Sequence, residues 1–259
     1  MNILKYRKYL WDSAVSELRN RYAGSSLGSL WNVIQPLFQI LIYTFVFSQI
    51  MIAKLPGIES TTYFAIYLCA GLVPWLSFSE IIVRGSNAFI ENATYLKKLP
   101  IPEYLFVLQT GVVSSIILFI SMGILFIIVI IMGGTISFLW LLVPLILALL
   151  VVFGIGIAII FASINVFFRD FGQLLGTLVH LWLWLTPIVY VKELLPEDYR
   201  HIIDYNPLYY YIESLQGIIV FSEAPEANLW VNMLITSSIT IFAGTLIVRK
   251  LRSEIRDVI

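Results

Sequence analysis

Few residues in this chain could do chemistry, and their spacing argues against most kinds of it. Glu80 and Arg84 stand four apart, so on a helix they share a face and can pair across one turn; a proton relay is the less economical reading. His180 sits inside a long apolar run. An ionisable group there marks a functional site by default, although a neutral, hydrogen-bonded histidine fits equally well. His201 is distant in sequence and Cys69 is the only cysteine, so neither a disulfide nor a Cys/His metal centre is expected. The phosphate loop Gly-x-x-x-x-Gly-Lys-[Ser/Thr] is absent, as are His-Glu-x-x-His and Gly-x-Ser-x-Gly. The chain is therefore expected to hold no catalytic residue, no metal and no cofactor of its own.

The composition says what surrounds these residues. Apolar residues make up 59% of 259 and charged ones only 12%, against about 25% charged in soluble domains. Net charge is zero, which excludes a generally basic nucleic-acid binder. No Asp, Glu, Lys or Arg occurs between Arg21 and Lys54, or between Glu103 and Arg169. A bilayer core about 30 Å thick takes roughly 20 apolar residues as a helix. The pattern predicts an all-α integral membrane protein with six spans near 31–53, 63–84, 104–132, 139–165, 173–191 and 229–249. Gly133-Gly134-Thr135 supplies the turn between the third and fourth. Runs such as Ile116-Ile117-Leu118-Phe119-Ile120 do not alternate as barrel strands would.

An even number of spans puts both termini on one side. Thirteen Lys and Arg fall on that side against three on the other, which predicts cytoplasmic termini. No signal peptide is evident at the start. Instead Leu4, Trp11, Val15, Leu18 and Tyr22 recur at helical spacing, giving an amphipathic helix in the membrane interface. The loop 85–103 places Phe89, Ala93 and Leu96 on one face and ends in Lys97 and Lys98. It is a solvated connector or the knob on which a cytoplasmic partner pushes. The outer segment 192–228 contains Tyr209-Tyr210-Tyr211 and an apolar run too short to span. It reads as a re-entrant or interfacial helix pair, either an aromatic belt or a lid. Phe38, Tyr43, Trp182 and Trp184 lie mid-span, where packing and an aromatic-lined conduit for sugar rings compete. Gly172…Gly176 and Gly24…Gly28 have the spacing of close helix contacts.

These landmarks together resemble one family. Arg21-Tyr-Ala-Gly-Ser-Ser-Leu-Gly-Ser-Leu-Trp-Asn-Val-Ile-Gln-Pro36 looks like the approach to the first span of ABC-2 type permeases that export polysaccharides. Tyr95-Leu-Lys-Lys-Leu-Pro-Ile-Pro102 resembles that family's loop between spans two and three. Phe168-Arg-Asp170, Leu185-Thr-Pro187 and Tyr205-Asn-Pro-Leu208 resemble its later landmarks, in order. The family often has an aromatic before the first loop proline. Leu99 stands there, so the partner contact is expected to differ in detail.

The resemblance implies one permease domain over 1–259. It would comprise an interface helix (1–30), spans one to five (31–191) with the coupling loop 85–103, a periplasmic gate segment (192–228), and a last span with its tail (229–259). It implies a homodimer in the bacterial inner membrane, working with a separate ABC ATP-binding subunit that holds ATP and Mg. The substrate would be a lipid-linked polysaccharide such as O-antigen on undecaprenyl diphosphate. Phe89, Glu91, Tyr95, Lys97 and Lys98 would couple to the ATPase. Lys5, Arg7, Lys8, Arg19 and Arg21 would frame the entrance for the lipid headgroup, though the same charges also suit anionic membrane lipids. Phe38, Tyr43, Trp182 and Trp184 would line the channel, spans one and five facing each other across the dimer axis. Tyr209, Tyr210, Tyr211 and Glu213 would form the gate. A drug or small-lipid exporter and an integral membrane lipid-sugar transferase remain the alternatives.

Overall fold

The computed structural model describes residues 6–51, 55, 56, 60–98 and 101–259, and every regular element among them is helical. Helix α1 (Arg7–Asn20) is followed by a turn of 3-10 helix (Gly28–Leu30) that runs into α2 (Trp31–Phe45), which a π turn prolongs to Ile50. Then come α3 (Thr61–Glu91), α4 (Ala93–Lys98), α5 (Tyr104–Ile131), α6 (Val143–Phe167, preceded by a 3-10 stretch from Phe138) and α7 (Phe171–Leu185). Short helices α8 (Glu197–Asp204) and α9 (Tyr209–Gln216, prolonged to Phe221) precede α10 (Ala227–Lys250) and α11 (Arg252–Val258). Five of these are long and apolar enough to cross a membrane: α2 and α6, each with the short helical turns that adjoin it, and α3, α5 and α10.

The fifth expected span differs in length. It was expected to reach 191, but α7 stops at Leu185, about 22 Å after it starts, which is short of a bilayer core. Pro187 is the reason: it has no N–H to donate, and it drives Thr186 into an extended conformation (φ −107°, ψ 131°). The freed carbonyl of Leu185 accepts from Asn206 Nδ2 at 3.2 Å, and the same nitrogen lies 2.9 Å from Thr186 Oγ1. Asn206 Oδ1 in turn accepts from the Leu208 amide and from Trp182 Nε1. One amide side chain thus ties the end of α7 to the start of α9.

The second span also differs. Helix α3 runs unbroken for 31 residues, about 46 Å. It therefore overshoots a bilayer core of about 30 Å, and residues 85–91 belong to it rather than to a separate loop helix. Asn92 ends it, its Nδ2 donating back to the Ala88 carbonyl at 2.9 Å. The α5–α6 turn falls where expected. Gly133 takes the left-handed conformation (φ 83°). The amides of Gly133 and Gly134 then close on the carbonyls of Ile130 and Val129, the Schellman ending of a helix.

Helices α3 and α6 form the centre, with α5 and α10 against them. Aromatic rings mark the middle of this core: Phe78 stacks on Phe153 at 5.3 Å, and Phe153 on Tyr211 at 5.4 Å. The closest helix crossing is α6 with α10. A Cβ on Gly156 would lie 2.6 Å from the Ile241 amide nitrogen, and one on Gly244 would lie 2.9 Å from the Gly156 carbonyl. Of the Gly172/Gly176 pair expected to permit close approach, only Gly172 does, a Cβ there lying 3.0 Å from Asn87 Oδ1 on α3. A Cβ on Gly176, Gly24 or Gly28 would meet nothing within 4 Å, and the last two occupy turns with positive φ. Gly172 also donates its amide to Asn165 Oδ1 at 3.0 Å, locking the α6–α7 corner.

Candidate translocation path

Two of the apolar helices are hardly covered by the rest of the chain, and each carries a polar strip. On α2, Asn32, Gln35, Gln39 and Tyr43 recur at helical spacing. On α7, Gln173, Thr177, His180 and Trp184 do the same, all four exposed. An amide or imidazole facing hydrocarbon has no hydrogen-bond partner there, so such strips face water or protein. Gln39 Nε2 donates to the Tyr43 hydroxyl at 3.3 Å, and Gln35 Oε1 accepts from the Tyr22 hydroxyl at 2.9 Å. Beside the α2 strip lies a cavity of about 290 Å³, walled by Arg21, Trp31, Asn32, Gln35 and Gln39 on one side and Ser77, Glu80 and Ser121 on the other. Asn32 donates to the carbonyls of Leu18 and Ser29, while its buried Oδ1 has no partner among the described residues.

The four aromatics expected to line a channel separate into two groups. Phe38 and Trp184 are exposed, and Tyr43 is half-buried within the α2 strip. Trp182 is different. Its ring sits edge-on to Phe78 at 5.5 Å and its Nε1–H is spent on Asn206, so it packs the core and anchors the 206 turn instead of facing a conduit.

At the end of the bundle that carries α1 and α11, four charges are paired in one network. Arg21 Nη2 lies 2.6 Å from Glu80 Oε1, and Arg84 Nη1 lies 3.0 Å from the same oxygen. Arg84 also pairs with Glu17, whose other oxygen accepts from Gln109 Nε2 at 3.0 Å. The expected Glu80–Arg84 pair is therefore half of a four-charge network binding α1 to α3 and α5. It also redraws α1. The inward line runs from the buried Leu10 and Ala14 to the half-buried Glu17 and Arg21, and Trp11 points away from the bundle. Arg21 does not stand ready as a free cation for a headgroup, because Glu80 balances it. Arg7, Lys8 and Arg19 are exposed; Lys5 lies outside the described residues.

The residues expected to couple to a partner also separate. Glu91, Tyr95, Lys97 and Lys98 are exposed around α4. Phe89 is wholly buried in an apolar cluster with Leu96, Phe106 and Ala162, so it holds the segment in place and offers no surface to a partner.

At the far end, α9 is a core element. Tyr211 is completely buried, and its hydroxyl donates to the Met233 carbonyl at 2.9 Å and sits 2.8 Å from Ser237 Oγ on α10. Gln216 Nε2 donates to the Tyr67 carbonyl on α3. Tyr209 is buried under the Lys192 ammonium, which lies 5.0 Å from its ring centre; Tyr210 donates its hydroxyl to the Asp204 carbonyl at 2.7 Å. Glu213 faces a polar cavity of about 430 Å³ that also takes in Lys192, Asp204, Glu223 and Glu226. Burial pushes the Glu213 carboxyl above its usual range, and the neighbouring Lys192 pulls it back only in part. Of the four expected gate residues, only Tyr210 and Glu213 present part of their surface.

Three of these arrangements escaped sequence reasoning: the Asn206 node, the Glu17–Gln109 half of the ionic network and the amide strip of α2. Only the last left a legible trace, as three polar residues four apart in an apolar span.

Comparison with known proteins places this architecture. A model described as ABC-2 type transporter matches residues 10–220. An O-antigen export system permease protein RfbA of Klebsiella pneumoniae is 31% identical over 97% of this chain and 96% of its own length. A protein of the same name from Myxococcus xanthus is 26% identical over 98% and 96%. The polysialic acid transport protein KpsM of Escherichia coli is 23% identical over 90% and 89%.

Proposed function

Because this chain belongs to the ABC-2 type transporter family, we propose that it is the membrane subunit of an exporter that moves a lipid-linked polysaccharide across the bacterial inner membrane. Its relatives named for O-antigen export and polysialic acid transport support a glycan cargo. An O-antigen-like polymer on undecaprenyl diphosphate is the cargo we favour. The observation that carries the reading is the pair of polar strips on α2 and α7, helices that the described residues leave largely uncovered. A polymer too long to be enclosed needs a continuous wetted conduit. One copy supplies these walls but cannot close them, so a second copy would complete the path across a two-fold axis. Amides and hydroxyls suit sugar hydroxyls, and the exposed rings of Phe38 and Trp184 suit their C–H faces.

ATP and Mg would be held by a separate ATP-binding subunit docking on the exposed side of α4, through Tyr95, Lys97 and Lys98. Helix α3 then acts as the transmitting element. It runs unbroken from the far end of the bundle to the docking segment, and Glu80 and Arg84 link it to α1 and Arg21 on the way. A push on α4 would reach the wall of the cavity beside α2 through that network. Both termini lie in the cytoplasm in this reading, where Arg7, Lys8 and Arg19 would meet headgroup phosphates. At the periplasmic end the gate segment would include the buried α9, and its movement would break the Tyr211 contacts with α10.

Deleting the gene should abolish surface polysaccharide and leave lipid-linked polymer inside the cell. Normal surface polymer in the deletion strain refutes the proposal.

A further inference from the structure

The C-terminal tail holds a carboxylate that none of the above uses. Glu103 lies five residues past the end of α4 and is only 2% exposed. A charge in so little water persists only with partners. Both partners come from α11: Arg252 Nε donates to Glu103 Oε1 at 3.1 Å and Arg256 Nε to the same oxygen at 2.5 Å. Arg256 Nη2 also donates to the Ile101 carbonyl at 2.8 Å. The two arginines are four apart, so one face of α11 presents both guanidinium groups. Between them Ile255 is wholly buried, in the same apolar cluster as Leu96, the inward anchor of α4. Ile101 and Glu103, just before α5, are thus gripped by one face of α11.

We propose that α11 belongs to the docking platform for the ATP-binding subunit: its two arginines, acting on Glu103, set the pose in which α4 meets that subunit. The inference rests on the reading of α4 as the docking element. Glu103, Arg252 and Arg256 are positioning residues. An α4 with Leu96 anchored but its downstream stretch released would still form, yet Tyr95, Lys97 and Lys98 would no longer be presented in one arrangement. Ordering that surface at the moment of binding costs affinity.

The test uses the full-length permease co-expressed with its ATP-binding subunit. Arg252→Ala/Arg256→Ala should lower the ATP-binding subunit co-purified per permease by about fivefold, about 1 kcal/mol, the scale of ordering one or two side chains on binding. Arg252→Lys/Arg256→Lys, which keeps the charges, should recover most of it. The melting temperature of the permease alone in detergent is read in parallel. Unchanged association in the alanine variant overturns the proposal. So does a loss of association matched by an equal loss of folded permease, since that is a purely structural role. Lys97→Glu/Lys98→Glu serves as the reference. If it abolishes association and the α11 variant does not, the clamp is wrong and the docking reading stands. If it leaves association intact, α4 is not the docking element, and the clamp proposal falls with it.

Discussion

Helices α2 and α3 are nearly equal in mean hydropathy, 1.5 and 1.7, yet 11% of one and 78% of the other is buried within the chain. Apolarity put both in the membrane and decided nothing about where in the bundle each would sit. The difference lies in the residues that are not apolar. In α3 the charged ones, Glu80 and Arg84, are paired with α1 and Arg21, and the small ones, Gly71, Gly85 and Ser86, let neighbours approach so closely that a Cβ on Gly85 would lie 2.7 Å from the Ala158 methyl. Without a hydrophobic force between helices in lipid, such close approach is what holds a span at the centre. In α2 they are amides on one face, and the described residues do not satisfy all of them. A helix of this kind is stable only beside water or a second subunit.

The largest effect that could break this comparison is truncation of a central ring. Phe78→Ala in α3 removes contacts with Phe153 and Trp182, so it should cost about 3–5 kcal/mol and most of the folded protein. Phe38→Ala in α2, where the ring is exposed, should change stability by no more than about 0.5 kcal/mol. Thermal unfolding in detergent measures both. Equal losses would show that α2 is as tightly held as α3.

A smaller effect on stability, with a larger one on transport, is expected from Gln35→Leu/Gln39→Leu. The double variant should accumulate normally but export polysaccharide several-fold more slowly, because the strip loses its affinity for water and hydroxyls. Cysteines placed instead at Gln39 or Thr177 should react with a polar maleimide, while one at Phe242, exposed beside Ile239 and Leu246 on α10, should not. The native Cys69 is buried and stays out of the readout. Equal labelling at all three positions would mean that the strips are no wetter than a lipid face.

The smallest effect concerns the helix that covers α3 at its far end. Glu213 on α9 has its carboxyl raised by burial. In the folded state it favours the neutral form, so its contribution is fully present below the ordinary glutamate range. It is lost as pH rises from that range through the raised value, because the unfolded chain ionises first. Glu213→Gln should flatten this part of the stability–pH curve measured by detergent unfolding. An unchanged slope would show that Glu213 is not the source of this pH dependence.

The order and approximate extent of the helices were legible because twenty apolar residues without charge leave few alternatives in a bilayer. Where boundaries moved, the cause was local: Pro187 stopped α7, and Asn92, not Arg84, stopped α3. The site was less legible. Phe89, Trp182 and Tyr211 have the composition of functional aromatics, and the fold buries all or part of each for packing. Arg21 reads as a free cation until Glu80, 59 positions away, is seen beside it.

By itself, then, the sequence determined that this is a multi-pass helical membrane protein of recognisable lineage, since hydropathy and short motifs act within one segment at a time. Which helices form the centre, which face carries the amides, and which charges cancel were decided only by tertiary structure. Those properties belong to pairs of residues far apart in the chain, and the chain brings them together only by packing.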